Sequence, residues 1–147
     1  MDIFGWHGGW GNFASVNPRH LGTGEGNSQG WGFHFAENRA GGEYYAEWAR
    51  RNRGAGFLHH VKLTLPKDRL WKDPDRSTWQ LPQGRSLTYA SYCILRQDQG
   101  DFIAATRLRS MGVWAFMLWE HNPPPHGHTF VVLELSAVSI IESLPYP

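Results

Sequence analysis

The sequence predicts an α+β domain with a mostly antiparallel sheet, and three features carry that prediction. Two segments, "WGFHFA" (31–36) and "GFLHHVKLTL" (56–65), alternate with the period of a strand. Between them, "ENRAGGEYYAEWARRNRG" (37–54) reads as a helix, with a capping Asn38, acidic residues early, basic residues late and Gly54 as a stop. Beyond Gly112 the chain returns to short apolar segments separated by turn residues.

In chain order, "IFGWHGG" is a first strand ending in Gly8 and Gly9. In 31–36, Trp31, Phe33 and Phe35 face one way and Gly32, His34 and Ala36 the other. In 56–65, Phe57, Val61, Leu63 and Leu65 share a face, and Pro66 ends the strand. The stretch 66–86 holds three prolines and reads as irregular. "DFIAATRLRSMG" (101–112) is a helix, with Ala104, Leu108 and Met111 at helical spacing and Gly112 as its stop. "VWAFMLW" is a buried strand, "EHNPPPHGH" a rigid turn and "TFVVLEL" a further strand, with "VSII" closing the sheet.

At 147 residues and 41% hydrophobic, the chain is one domain, 1–147, able to bury its own core. No apolar run is long enough to cross a bilayer, and "MDIFGWHGGW" lacks the pattern of a secretory leader. A single cysteine, Cys93, excludes an internal disulfide and suits a reducing compartment; it reads as a core thiol. These features predict a cytoplasmic protein. The net charge of +1 gives no global electrostatic case for nucleic acid, and the cluster Arg50, Arg51 and Arg53 reads as a solvated helix end. Eight Trp is a high count, with Trp6, Trp10 and Trp31 crowding a glycine-rich run.

That run, "HLGTGEGNSQGWGFHFAEN" (20–38), is where chemistry is expected. Glycines at 22, 24, 26 and 30 leave few side chains to pack but free N–H groups able to wrap a pyrophosphate. Glu25 among them has no packing reason to be there. His121, His126 and His128 also lie close in sequence, yet they lack the fourth ligand and spacing of a zinc site, so no metal is expected.

With "HGG" at 7–9, "GFHFAE" at 32–37 and Tyr45 eleven positions after His34, the chain resembles the ADP-ribosyltransferases, in the branch of diphtheria toxin and the poly(ADP-ribose) polymerases. It is most similar to ADP-ribosyltransferase-like domains of phage and mobile-element polyvalent proteins, through "GTGEG", "LHHVKLTLP", "MGVWAFMLW" and "TFVVLE" in that order. The resemblance implies split, mostly antiparallel sheets flanked by short helices. It implies NAD as substrate, ADP-ribose transfer to a protein or nucleic acid, nicotinamide release and a toxin or effector role, in the cytoplasm or delivered into a host or target cell.

By the same resemblance NAD lies against His7, Gly8, Gly9, Gly22, Thr23, Gly24, Gly32, His34, Phe35 and Tyr45. His7 holds a ribose hydroxyl, Gly8 pairs with the carboxamide and Tyr45 stacks on the nicotinamide. His34 stands where the family has its first Tyr. Thr129 stands where it has its catalytic Glu, and Thr cannot supply a carboxylate. Glu25 is the first candidate to replace it, ahead of Glu120 and Glu134, which makes Glu25, His7 and Tyr45 the expected catalytic set. The implied alternative is a degenerate binder of NAD, ADP-ribose or a macromolecule, and a hydrolase passing ADP-ribose to water is a third possibility. The segment 66–86 and "EHNPPPHG" are the expected target-reading surfaces.

Overall fold

The fold is organised around a seven-stranded, mostly antiparallel sheet in the order β4-β7-β8-β2-β1-β3-β9. The computed structural model describes residues 1–16, 32–119 and 127–147. Within these the strands are β1 (Asp2–Gly9), β2 (Phe33–Ala36), β3 (Gly56–Thr64), β4 (Leu70–Lys72), β7 (Ala115–Trp119), β8 (His128–Val132) and β9 (Val138–Tyr146). A separate hairpin pairs β5 (Trp79–Gln80) with β6 (Ser86–Leu87). Three helices, α1 (Arg39–Arg53), α2 (Tyr89–Gln99) and α3 (Asp101–Ser110), complete the order. The mixed α+β class with a mostly antiparallel sheet is therefore as the sequence predicts. No helix among the described residues is long and apolar enough to cross a membrane.

Hydrogen bonding connects all seven strands in one sheet, and the seam between β1 and β2 is its narrowest. β1 runs alongside β3 for eight register pairs, from Asp2↔Thr64 to Gly9↔Phe57. Against β2 it keeps a single pair, Trp6↔Ala36. Beyond Trp6 the β1 edge toward β2 therefore carries no ladder.

The strand alternation assigns the two cores. In β8, Val131 packs with Phe116, Leu108, Ala104 and Tyr92 beneath α2 and α3, whereas Phe130 and Val132 join Phe33, Phe35, Val61 and Leu63 on the opposite face. Val61 and Leu63 share a face with Leu65 as the sequence indicates, and all three are buried. α1 ends at Gly54 in the left-handed conformation (φ 83°), and α3 is followed by Gly112 at φ 95°. Asn38 occupies the N-cap of α1 with extended backbone, but its side chain makes no capping bond to the helix and the first turn holds no acidic residue.

The stretch 66–86 is more ordered than its prolines suggest. Its residues 70–72 form β4, which pairs parallel with β7 and buries Trp71. A parallel pair needs a long crossover, and here it contains the β5–β6 hairpin, α2 and α3. Two indoles pin the stretch: Trp71 Nε1 donates to Ser77 Oγ (3.0 Å) and Trp79 Nε1 to the Met111 carbonyl (3.0 Å). The α2 helix is absent from the sequence-based element order. Its N-cap is Thr88, whose hydroxyl accepts from the Ser91 N–H. Cys93 lies on it, partly buried against the core.

β9 is a full nine-residue outer strand rather than the four-residue "VSII". Its register shifts between His60 and Val61, where Ile141 is the extra residue.

α1 lies unusually close to β1 because both present glycine and alanine. Gly41, Gly42, Ala46 and Ala49 form the buried side of the helix. A Cβ placed at Gly8 would overlap the Gly42 carbonyl and come within 2.5 Å of the Ala46 nitrogen, whereas at Gly9 it would meet, among the described residues, only the His7 ring, at 3.3 Å. Gly8→Ala is therefore expected to lower the unfolding free energy by about 3 kcal/mol, and Gly9→Ala by under about 1 kcal/mol. Urea unfolding of the two variants checks this; equal losses would mean that α1 does not rest on Gly8.

Candidate functional site

The open edge of β1 beyond Trp6 is spanned by a side chain. His7 Nδ1 donates to the His34 carbonyl oxygen of β2 (2.6 Å), joining the strands where their ladder has ended. A carbonyl oxygen only accepts, so the His7 proton sits on Nδ1 and Nε2 is left as the acceptor. The ring stacks on Phe33, with centroids 4.6 Å apart and planes 27° apart. Burial pushes its pKa down from 6.5 to about 4, so the imidazole is neutral at neutral pH. What His7 offers a ligand is one ring nitrogen with a lone pair, beside the glycine pair 8–9.

A second imidazole supports the first. His59 of β3 is fully buried and stacks on Phe13, with centroids 4.2 Å apart. His59 Nε2 donates to the Gly11 carbonyl (3.0 Å), and the Ser143 hydroxyl of β9 donates to His59 Nδ1 (2.7 Å). Burial lowers the His59 pKa, which favours this neutral, doubly bonded form. Phe13 in turn meets Phe33 edge-on at 6.3 Å, and His7 lies 5.9 Å from His59. The His59–Ser143 pair thus fastens the segment 10–16, which leads into the glycine-rich run. His59 is not among the residues the sequence singled out. The available signal was its inward parity on β3, shared with Val61 and Leu63.

The structure places the other expected residues unequally. Tyr45 lies on α1 directly before Ala46, whose nitrogen abuts Gly8, and it falls within the arc of the buried residues 41, 42, 46 and 49. Tyr44 points about 100° away and is 53% exposed, its ring edge-on to Tyr45 at 5.1 Å. Gly8 serves first as the seat of α1. Gly32 is likewise a close-approach glycine, since a Cβ there would come within 2.6 Å of Val131 Cγ1. His34 supplies the carbonyl that His7 bridges to, and its side chain alternates away from Phe33 and Phe35. Phe35 is 2% exposed and stacks on Phe130 at 4.9 Å, so its ring belongs to the core. Gly22, Thr23, Gly24 and Glu25 lie outside the described residues, as do Glu120, His121 and His126.

Thr129 sits in β8, in register with Ala36 of β2 and Leu118 of β7. Glu134 has partners of its own: Ser136 donates to it (2.7 Å), and Arg109 of α3 lies 4.0 Å away. One carboxylate is more sharply positioned. Glu37 Oε2 accepts both the backbone N–H (2.9 Å) and Nδ1–H (2.8 Å) of His128, and these bonds hold its pKa below the ordinary value. The pair joins the end of β2 to the start of β8. Sequence reasoning missed it because 91 residues separate the partners. Among the described residues no group of His, Cys, Asp and Glu is placed to hold a metal ion. A groove of about 400 Å³ runs along the opposite side of α1, lined by Tyr44, Trp48 and Tyr146 with Glu43, Glu47 and Arg51; neither His7 nor Tyr45 borders it.

Comparison with protein-family models, with curated proteins and with solved structures finds no match to this chain.

The neutral imidazoles have a consequence for stability. Because the folded His7 pKa lies below its ordinary 6.5, the unfolded chain binds more protons between that value and about 4. Stability is therefore full above about pH 7 and falls as the pH drops, by up to ~3 kcal/mol from His7 alone. His59 acts in the same direction. Urea unfolding between pH 7.5 and 5 should show this decline, and His7→Gln should make it shallower by up to one proton. An identical slope in the variant would show that His7 does not titrate this way.

Proposed function

We propose that this chain is an NAD-dependent mono-ADP-ribosyltransferase, moving ADP-ribose from NAD to a protein or nucleic-acid acceptor and releasing nicotinamide. The observation that carries the proposal is the β1–β2 seam. There a glycine edge and a neutral, acceptor-bearing His7 stand beside the helix that carries Tyr45. This reading takes the seam as the counterpart of the split between sheets in the ADP-ribosyltransferase fold, which the motif order of the sequence resembles.

In this proposal each residue has a chemical task. His7 Nε2 accepts a ribose hydroxyl, and the backbone at Gly8 and Gly9 meets the carboxamide. Tyr45 stacks on the nicotinamide ring, and the N–H groups of the 22–26 run wrap the pyrophosphate. The bond from ribose C1′ to the nicotinamide nitrogen breaks with its electron pair leaving on nicotinamide, and the acceptor's nucleophile forms the new bond to C1′ as it loses its proton. The ribose passes through a cation-like state that a carboxylate stabilises, a role given to Glu25. A second reading, a binder of NAD or ADP-ribose without turnover, is favoured by one feature: Thr129, in β8, stands where the resemblance puts the family's catalytic Glu.

Purified protein incubated with NAD is expected to release nicotinamide, and Glu25→Gln to reduce that release by roughly 10²–10³-fold with little change in NAD binding. Full activity in Glu25→Gln would remove the role from Glu25. Binding without release supports the second reading. If calorimetry finds no binding of NAD, ADP-ribose or nicotinamide, both readings fall. Tyr45→Ala should weaken NAD binding far more than Tyr44→Ala; equal effects would remove the stacking role from Tyr45.

A further inference from the structure

The outer face of α2 and α3 is apolar where a solvated helix pair would be polar. α3 reads DFIAATRLRS, and its apolar residues run all round the helix. Ala104, Ala105 and Leu108 point inward, where with Tyr92 of α2 they pack on Trp71, Phe116 and Val131 of the sheet. At about 100° per residue, Phe102 and Ile103 then fall on the opposite side of α3, and Ile94 falls opposite Tyr92 on α2. All three are exposed, Phe102 most of all at 78%. Both helices lie on the same core and only Gly100 separates them, so their outward sides form one surface. Apolar residues all round a helix are the pattern of one covered on both sides.

The charges on this surface indicate what covers it. Arg96 and Asp101 pair with each other (2.9 Å), and Arg109 faces Glu134 (4.0 Å). Asp98 of α2 and Arg107 of α3 are left with no ion-pair partner among the described residues. Asp98 lies one turn from Ile94, and Arg107 one turn from Ile103. The apolar centre thus carries one unpaired anion and one unpaired cation at its rim.

We propose that this face joins two copies of the chain in a twofold-symmetric dimer. In such an interface the same patch meets itself. Ile94, Phe102 and Ile103 bury against their counterparts, and Asp98 of each copy reaches Arg107 of the other. A surface with equal and opposite unpaired charges is its own complement. Nucleic acid or an anionic membrane would call for an excess of cations, and this face has none. Two helices of three turns offer an interface at the small end of the stable range, so the dimer dissociates at roughly micromolar concentration.

The inference does not depend on NAD, and its test uses none. Sedimentation velocity of the intact chain from about 1 to 500 µM should show the mass rising from one chain to two. Phe102→Ser should weaken dimerisation at least about tenfold. Phe102 is mostly exposed, and a circular-dichroism melt shows that the variant is folded. Asp98→Arg and Arg107→Asp should each weaken dimerisation about tenfold by setting like charges together. An equimolar mixture of these two variants, and the chain carrying both changes, should regain the wild-type dimer, because each altered charge again meets its opposite. Arg85→Asp, a charge reversal between β5 and β6, should change nothing. A one-chain mass at every concentration, undiminished association of folded Phe102→Ser, association weakened as much by Arg85→Asp as by Arg107→Asp, or no recovery in the mixed charge variants would each overturn the proposal.

Discussion

The closeness of α1 to β1 sets the rest of the site. Helices normally pack on sheets through interposed side chains. Here Gly8 on the strand meets Gly42 and Ala46 on the helix, so backbone lies against backbone. That contact fixes where Tyr45 stands relative to the glycine edge. The constraint is repeated on the neighbouring strand at Gly56, where a Cβ would run into the Ala46 carbonyl. One helix thus rests on two neighbouring strands of the sheet through positions that tolerate no side chain.

The second organising feature is a polar seam inside an otherwise apolar face. His59 and Ser143 satisfy one another, and His7 and His59 reach the carbonyls of His34 and Gly11, without any ionised group. Neutrality is what makes the arrangement affordable, since an unpaired charge at a fully buried position would cost several kcal/mol. The rings of Phe13 and Phe33 interleave with the imidazoles, so the same contacts that exclude water also orient the ring nitrogens. Loop and sheet are joined here by directed bonds rather than by burial alone.

Legibility in the sequence followed the range of the interactions. β1, β3, α1 and α3 were readable because their period and their glycine stops are local. β4 was not: three residues set among prolines acquire strand geometry only by pairing with β7, forty-five positions downstream. α2 escaped for a different reason. It buries fully only Tyr92, and Gly100 separates it from α3 by a single residue, so its pattern merges with its neighbour's. At the site, His7, Gly8 and Tyr45 were legible through motif order, and the structure brings His7, Gly8 and the helix carrying Tyr45 into one neighbourhood. The partners of those residues were not legible. That His7 would bridge to the His34 carbonyl depends on how far the β1–β2 ladder extends. The His59–Ser143 and Glu37–His128 pairs depend on which strands become neighbours. Phe35, read as part of the ligand wall, turns its ring into the core because β2 alternates strictly.

The bulge in β9 bears on how the molecule behaves among copies of itself. An outer strand of nine residues presents a row of backbone donors and acceptors that another chain's strand could extend. Ile141, the extra residue, breaks the regular spacing of that row at its middle, and Pro145 removes a donor near its end. What remains is two short, mutually twisted segments instead of one flat template. The same irregularity that lets β9 follow the curve of β3 thereby discourages edge-to-edge polymerisation, keeping a sheet with a long margin from growing past its own last strand.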